Sequence, residues 1–281
     1  MKMKNIQYHI CLILFTVFTV ACEDVIEVDV PEGKTRLVVE GMLTDREELQ
    51  TVKLKYTAPY FSNQPTPVVQ GAEVYIADDQ GHRITLTETT PGVYQHEFAG
   101  IHGRTYQLHI ETAEGEQYHS LEETMMPVPP IDTIYATFEE ASINNEEEGY
   151  YVAINATDPA DTVNFYRWRY YVNGQYQNEP ADLFFGNDRL IDGLDGLMVN
   201  FYRDPLLVGD VAVVEQMSIS ENAYDFLNLL YQQTVSGGSQ FSPPPAPIKG
   251  NIIGAKDGEY AIGFFMVTAI TTAEITIEEG M

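Results

Sequence analysis

Hydrophobic and polar residues alternate in short runs along most of this chain, and one stretch alone repeats them at the three- and four-residue steps of a helix. In "QTVKLKY" (50–56), Val52, Leu54 and Tyr56 fall on one side and Lys53 and Lys55 on the other. A period of two marks a strand with one wet face. The preceding "TRLVVEGML" (35–43) is β-branched and apolar, with the turn-prone "TDREE" in between. "GAEVYIADDQGHRITLTET" (71–89) reads as two strands about Asp78, Asp79, Gln80 and Gly81, where the glycine supplies the positive φ of a tight hairpin. "PGVYQHEF" (91–98) and "GRTYQLHIETAEGEQYHSLEET" (103–124) add three more, a seven-strand pattern ending near Thr124. Short, closely spaced strands of this kind predict a β-sandwich over 35–126.

Prolines mark the next boundary. In "MMPVPPIDTI", Pro127, Pro129 and Pro130 predict a stiff linker over 127–130, because each fixes its own φ and restricts its predecessor. A second, β-rich domain is expected over 131–278. The acidic "EEASINNEEEG" (139–149) reads as a solvated loop, and "YYVAINATD" and "NFYRWRYYVNGQY" as strands, with Asn173 and Gly174 forming a hairpin turn. In the latter strand Phe165, Arg167, Arg169 and Tyr171 share one face, and Tyr166, Trp168 and Tyr170 the other. "FFGNDRLIDGLDGL" (184–197) reads as a loop, and strands resume from Met198. The single helix is predicted at about 219–233: Ser218 and Glu221 are spaced as a capping box, and Ala223, Phe226, Leu227 and Leu230 form an apolar stripe that faces a sheet. "FSPPPAPIKGNIIG" (241–254) is an extended crossing, and "YAIGFFMVTAITTAEITI" (260–277) supplies one or two final strands.

Composition narrows the class. Hydrophobic residues make up 44% of the 281, which argues against disorder throughout. With 42 acidic and 15 basic residues the net charge is -27, which excludes nucleic acid as a partner and gives no general attraction to anionic lipid. At the N-terminus Lys2 and Lys4 precede an apolar run from Ile10 to Ala21, the layout of a secretory signal peptide over 1–21, shorter than the about 20 apolar residues of a membrane span. Its removal takes Cys11 with it and leaves Cys22 as the one mature cysteine, so no disulfide framework is expected. Thr19, Val20, Ala21 and Cys22 resemble a bacterial lipobox, although Thr19 stands where Leu is usual. Cys22 is thus expected to become a lipidated N-terminus bearing diacylglycerol and palmitate-type chains, joined to the sandwich by a tether over 22–34.

Chemistry is harder to find. There is no G-x-S-x-G, no H-E-x-x-H and no glycine-rich phosphate loop, so no catalytic residues, no metal site and no cofactor are expected. The mature histidines (His82, His96, His102, His109 and His119) all lie in the first sandwich without zinc spacing. Asp188, Asp192 and Asp195 suit turns, with calcium as the alternative. Aromatic residues are plentiful, 18 Tyr and 13 Phe with one Trp, and near proline-rich loops they suit contact surfaces. The candidate contacts are Tyr60, Phe61, Trp168, Phe241, Pro243, Pro244 and Pro245, against a structural reading in which the prolines only blunt edge strands.

"CEDVIEVDVPEGKTRLVVEGMLTD", "TMMPVPPIDTI", "SISENAYDFLNLLYQQ" and "FSPPPAPIKGNI" occur in an order that resembles the Bacteroidetes lipoproteins grouped as domain of unknown function 4249. The first domain is also similar to Ig-like, transthyretin-like and carboxypeptidase-regulatory sandwiches, on the strand and hairpin from Gly71 to Gly81. The resemblance implies a non-catalytic lipoprotein of the cell outer membrane that serves a TonB-dependent transporter as an accessory or ligand-binding subunit. Glu23 and Asp24, just after the lipidation site, resemble a signal for export to the cell surface, with the periplasmic face as the other placement. A stand-alone carbohydrate- or peptide-binding module is the alternative function, and a hydrolase a further one.

Overall fold

The computed structural model describes residues 34–59, 64–142, 147–190, 193, 196–235, 248–256 and 258–281. The alternating segments form strands where expected: Leu37–Thr44 (β1), Glu48–Tyr56 (β2), Glu73–Asp78 (β3), Arg83–Thr90 (β4), Val93–Phe98 (β5), Thr105–Glu111 (β6) and Gln117–Ser120 (β7), with the two-residue Glu123–Thr124 (β8) in addition. Gly81 takes φ 84° and donates to the Asp78 carbonyl, so β3 and β4 meet in the anticipated hairpin. The Asp78 carboxylate accepts from the backbone N–H groups of Gln80 and His82 and pairs with Arg104 at 2.8 Å. Burial alone would raise the pKa of Asp78, but hydrogen bonds from the His82 side chain and from these N–H groups outweigh it and hold the carboxyl at about 2.

The chain continues through Ile131–Glu139 (β9), Gly149–Ala156 (β10), Phe165–Val172 (β11), Gln175–Tyr176 (β12), Phe184–Asn187 (β13), Leu197–Leu206 (β14) and Val211–Ser218 (β15). A helix, Glu221–Val235 (α1), precedes Ile252–Gly254 (β16), Ile262–Thr268 (β17) and Ile270–Thr276 (β18). Among the described residues no helix is long and apolar enough to cross a membrane.

The proline boundary separates strands in sequence and not in space. The first sheet runs β16-β7-β6-β3-β4-β5-β2-β1-β17, so two strands from the expected second domain complete the first sandwich. β17 lies parallel to β1, with Val38 opposite Ile262 and Thr44 opposite Thr268, whereas β16 pairs antiparallel with β7. The core confirms the exchange, since Ile252, Ala261, Phe265 and Val267 pack in one cluster with Val39, Leu54, Ile76 and Leu108. Residues Thr35–Met281 form one unit, which corrects the division at 127–130. Nor is the proline segment a free spacer: Ser218 Oγ donates to the Met126 carbonyl at 2.6 Å, and Gln216 Nε2 to the Pro129 carbonyl at 2.9 Å.

A second sandwich packs the sheet β14-β10-β9 against the sheet β12-β11-β15-β18, with β13 also on β11. Its core holds Val152, Ile154 and Phe201 from one sheet and Tyr166, Trp168, Tyr170 and Val214 from the other. The opposite face of β11 and β15 is covered as well, by a third cluster in which Phe165 and Met217 meet α1 through Ala223 and Leu227, and meet Phe264 and Met266 on the outer face of β17. The central sheet is thus buried on both faces along part of its length. The segment expected to be a loop from Phe184 contributes β13, because Phe184 and Phe185 have a strand partner in β11 and hydrophobic cover on both sides.

The helix begins two residues later than expected. Ser220, not Ser218, is the cap: its Oγ accepts from the Ala223 N–H at 3.1 Å. Ser218 is still in strand, and its hydroxyl serves the proline segment instead. The expected stripe is correct, with Ala223 and Leu227 buried and Phe226 partly so.

Two close contacts hold the C-terminal strands to the first sandwich. Gly263 has φ 102°, and a Cβ there would stand 1.9 Å from the Val39 carbonyl oxygen, inside the β1–β17 ladder. Asn251, buried beside it in the core, donates to Glu123 Oε1 at 3.1 Å and to the Phe265 carbonyl at 2.9 Å, and accepts from the Phe265 N–H. Gly263→Ala is expected to destabilise the protein by about 3 kcal/mol or more, against about 1 kcal/mol for Gly81→Ala in its open hairpin, as read by urea unfolding. Burial raises the Glu123 pKa above its ordinary 4.5, opposed by hydrogen bonds from Ser220 and Asn251. A raised carboxyl favours the folded state below its unfolded value and loses that contribution as pH rises through its folded value. Unfolding free energy should therefore fall with pH above about 4.5 in the native chain, and Glu123→Gln should flatten that part of the profile.

Candidate functional site

The third cluster does not fill the space between the two sandwiches. A cleft of about 720 Å³ opens beside it, lined by β1 and β2 on one side, by the Arg167, Arg169 and Tyr171 face of β11 on the other, and by α1. Its apolar lining is Met42, Phe226, Leu230, Phe264 and Met266. Its charged lining is Arg46, Lys53, Arg167 and Arg169 against Glu40, Glu48 and Glu215.

Glu215 organises the charged part. It sits in β15 opposite Arg169, itself buried, and Arg169 Nη2 meets its Oε2 at 2.8 Å. Arg46, from the turn between β1 and β2, reaches Oε1 at 2.6 Å and also bonds Thr272. The Tyr171 hydroxyl donates to Oε2 at 3.0 Å. Burial pushes the Tyr171 phenol up to about 12, with Arg169 opposing and Glu215 adding to the rise, so the phenol remains a donor. Lys53 and Glu40 pair with each other at 3.0 Å nearer the mouth. Thr44 Oγ1 donates to Glu48 at 2.6 Å.

The division of β11 into an apolar-aromatic and a guanidinium face holds, and it corrects one candidate contact. Trp168 is 6% exposed, packs in the second core and donates its indole N–H to Gln216 Oε1 at 3.0 Å. It is a core residue because its face of β11 meets the β14-β10-β9 sheet, and it offers no surface to a partner. Tyr60, Phe61, Phe241, Pro243, Pro244 and Pro245 lie outside the described residues, as does Cys22 with most of its tether. Sequence reasoning passed over Met42, Arg46 and Glu215, the last two of which meet in the site from 169 residues apart. The available signal was a carboxylate directly after the apolar run "VAVV", in the strand neighbouring the two arginines.

Other polar groups come together without forming a second centre of this kind. β6 and β7 set His109 beside His119, ring centroids 6.4 Å apart, with Tyr75 stacked on His109 and Arg83 over Tyr75. Burial lowers the His109 pKa, and His119 and Arg83 lower it further. His82 faces Asp78 and His102 faces Asp45. Among the described residues no group of three or more His, Cys, Asp or Glu is arranged to hold a metal ion. Asp188 is buried and accepts twice from the Asn164 N–H, a loop-fixing role; burial raises its pKa, and hydrogen bonding with Asp158 adds to the rise. Asp192 and Asp195 lie outside the described residues.

Removing the Glu215 charge leaves two guanidinium groups facing each other. Glu215→Gln is expected to cost about 1–3 kcal/mol in urea unfolding, below the loss for a fully buried pair because Arg46 is a third exposed, and added salt should shrink the loss.

No curated protein matches the chain in sequence. Solved structures similar to it include a segment of two fibronectin type-III domains from chicken tenascin, 14% identical, covering 65% of this chain and 88% of that one at a TM-score of 0.19. The FN1–FN3 domains of chicken CNTN1 are 12% identical, covering 64% and 59% at a TM-score of 0.23. Fibronectin(III)-like modules of Clostridium thermocellum CbhA are 12% identical, covering 67% and 86% at a TM-score of 0.22. TM-scores this low carry no argument about fold or function. The family described as "Domain of unknown function (DUF4249)" matches residues 23–274, nearly the whole length that follows Cys22, and the chain belongs to that family.

Proposed function

We propose that this protein is a lipid-anchored, non-catalytic binding subunit of the outer membrane, holding a ligand in the cleft between its two sandwiches and serving a TonB-dependent transporter. The cleft is the observation that carries the binding role. At about 720 Å³ it is within the size range of small-molecule sites, and it combines an apolar floor with a few fixed polar groups. The lipobox-like run before Cys22, the acidic Glu23 and Asp24, and the resemblance described above support the anchor and the transporter. An anchored protein meets a membrane-embedded partner at raised effective concentration without any added contact. Burial of Trp168 takes away the residue on which an aromatic platform for a stand-alone sugar-binding module would rest.

Native purification from detergent-solubilised outer membranes is expected to recover the protein with a β-barrel partner, and Cys22→Ser to release it from the membrane fraction. Recovery free of any β-barrel protein would leave a stand-alone binding module in its place. Retention of Cys22→Ser in the membrane would remove the lipid anchor.

A further inference from the structure

We propose that the cleft takes an amphipathic carboxylate, with its apolar body on Met42, Phe226, Leu230, Phe264 and Met266 and its carboxylate on Arg167. This rests on the reading of the cleft as a binding site. In the sheet, Arg167 lies between Phe185 of β13 and Met217 of β15, neither of which offers an oxygen acceptor from its side chain. Its Nε is buried without a hydrogen-bond partner among the described residues. Among the described residues its one side-chain bond is a long one, from Nη2 to the Tyr176 hydroxyl at 3.4 Å. Glu215, on the same face, is already engaged by Arg46, Arg169 and Tyr171. Among the described residues no carboxylate forms an ion pair with Arg167.

That is an unusual position in a chain with 42 acidic residues. A guanidinium is a fork of donors matched to a carboxylate, and a partly buried guanidinium whose Nε is shut off from water without an acceptor is costly, so the counter-ion is expected to arrive with the ligand. The lining also states the charge. Arg46, Lys53, Arg167 and Arg169 exceed Glu40, Glu48 and Glu215 by one, and a monoanion balances the difference. The Tyr176 hydroxyl accepts from Arg167 and keeps its own proton to donate to the same anion. An apolar floor beside one cationic seat fits a fatty acid or the C-terminus of an apolar peptide, which share this chemistry.

The full chain in lipid nanodiscs, with empty nanodiscs as the blank, is titrated calorimetrically with octanoate against octanamide, and with an apolar tripeptide against its C-terminal amide. At least one carboxylate is expected to bind about tenfold or more tighter than its amide, and the arm that shows the preference identifies the source. Arg167→Met is expected to abolish the preference while its melting temperature stays level or rises, since a buried donor without an acceptor has been removed together with its unpaired, partly buried charge. Equal binding of acid and amide overturns the carboxylate seat and leaves the cleft as a binding site, whereas no binding by any of the four overturns both. A melting temperature that falls in Arg167→Met identifies the residue as structural and overturns the seat. Should that variant not fold, Arg167→Lys decides: a preference reduced severalfold supports the seat, and an unchanged one overturns it.

Discussion

The parallel pairing of β1 with β17 joins residues more than 200 positions apart, and every layer of the molecule depends on it. On one face it delivers Phe265 and Val267 to the first core. On the other it delivers Phe264 and Met266 to the cluster that receives the central sheet and α1. One step later the chain passes through Thr268 and Ala269 directly into β18, which pairs with β15 in the central sheet. With no linker at that crossing, the sandwiches are held in one arrangement. The ladder itself rests on Gly263, because a side chain there would occupy the space of the Val39 carbonyl.

The cleft follows from that arrangement. β11 presents Tyr166, Trp168 and Tyr170 to a closed core, and so Arg167, Arg169 and Tyr171 face the outer side of the first sheet. Close to α1 this face is sealed by Phe165, and further along it is not. The cations there are local exceptions in a chain of net charge -27. At physiological ionic strength charges interact over about 8 Å, so groups within the cleft outweigh the distant acidic surface in what it accepts. Long-range attraction will not hasten an anion toward this protein; selectivity comes from short contacts made after entry.

Much of the local structure was legible in the residues. Asp78 to Gly81 and Asn173 with Gly174 gave hairpins because their turn types demand those residues, and the two faces of β11 followed from a period of two. The division into domains was not legible. Pro127, Pro129 and Pro130 do interrupt secondary structure, but no local pattern reveals that β16 and β17 return to sheets begun long before. The cap falls on Ser220 and not on Ser218, which is still in β15 and gives its hydroxyl to the carbonyl of Met126, a contact no local pattern announces. A lone tryptophan on a mixed strand reads as a contact as readily as a core residue until its face is covered. The site itself was half legible. Two arginines on a strand are visible as an oddity, whereas their relation to Arg46 and Glu215 exists in three dimensions alone.

The position of β1 also has a mechanical meaning. The N-terminal segment enters the fold at Leu37, the first residue of a strand flanked by β2 on one side and β17 on the other. Tension applied at the N-terminus runs along the axis of β1. Its hydrogen bonds cross that axis, so both ladders are loaded sideways and must yield together instead of opening one rung at a time. A strand at the rim, pulled away from its neighbour, would peel. The inner place of β1 gives the folded body a shear-resistant grip at the end where, on the proposed reading, a moving membrane would drag on it.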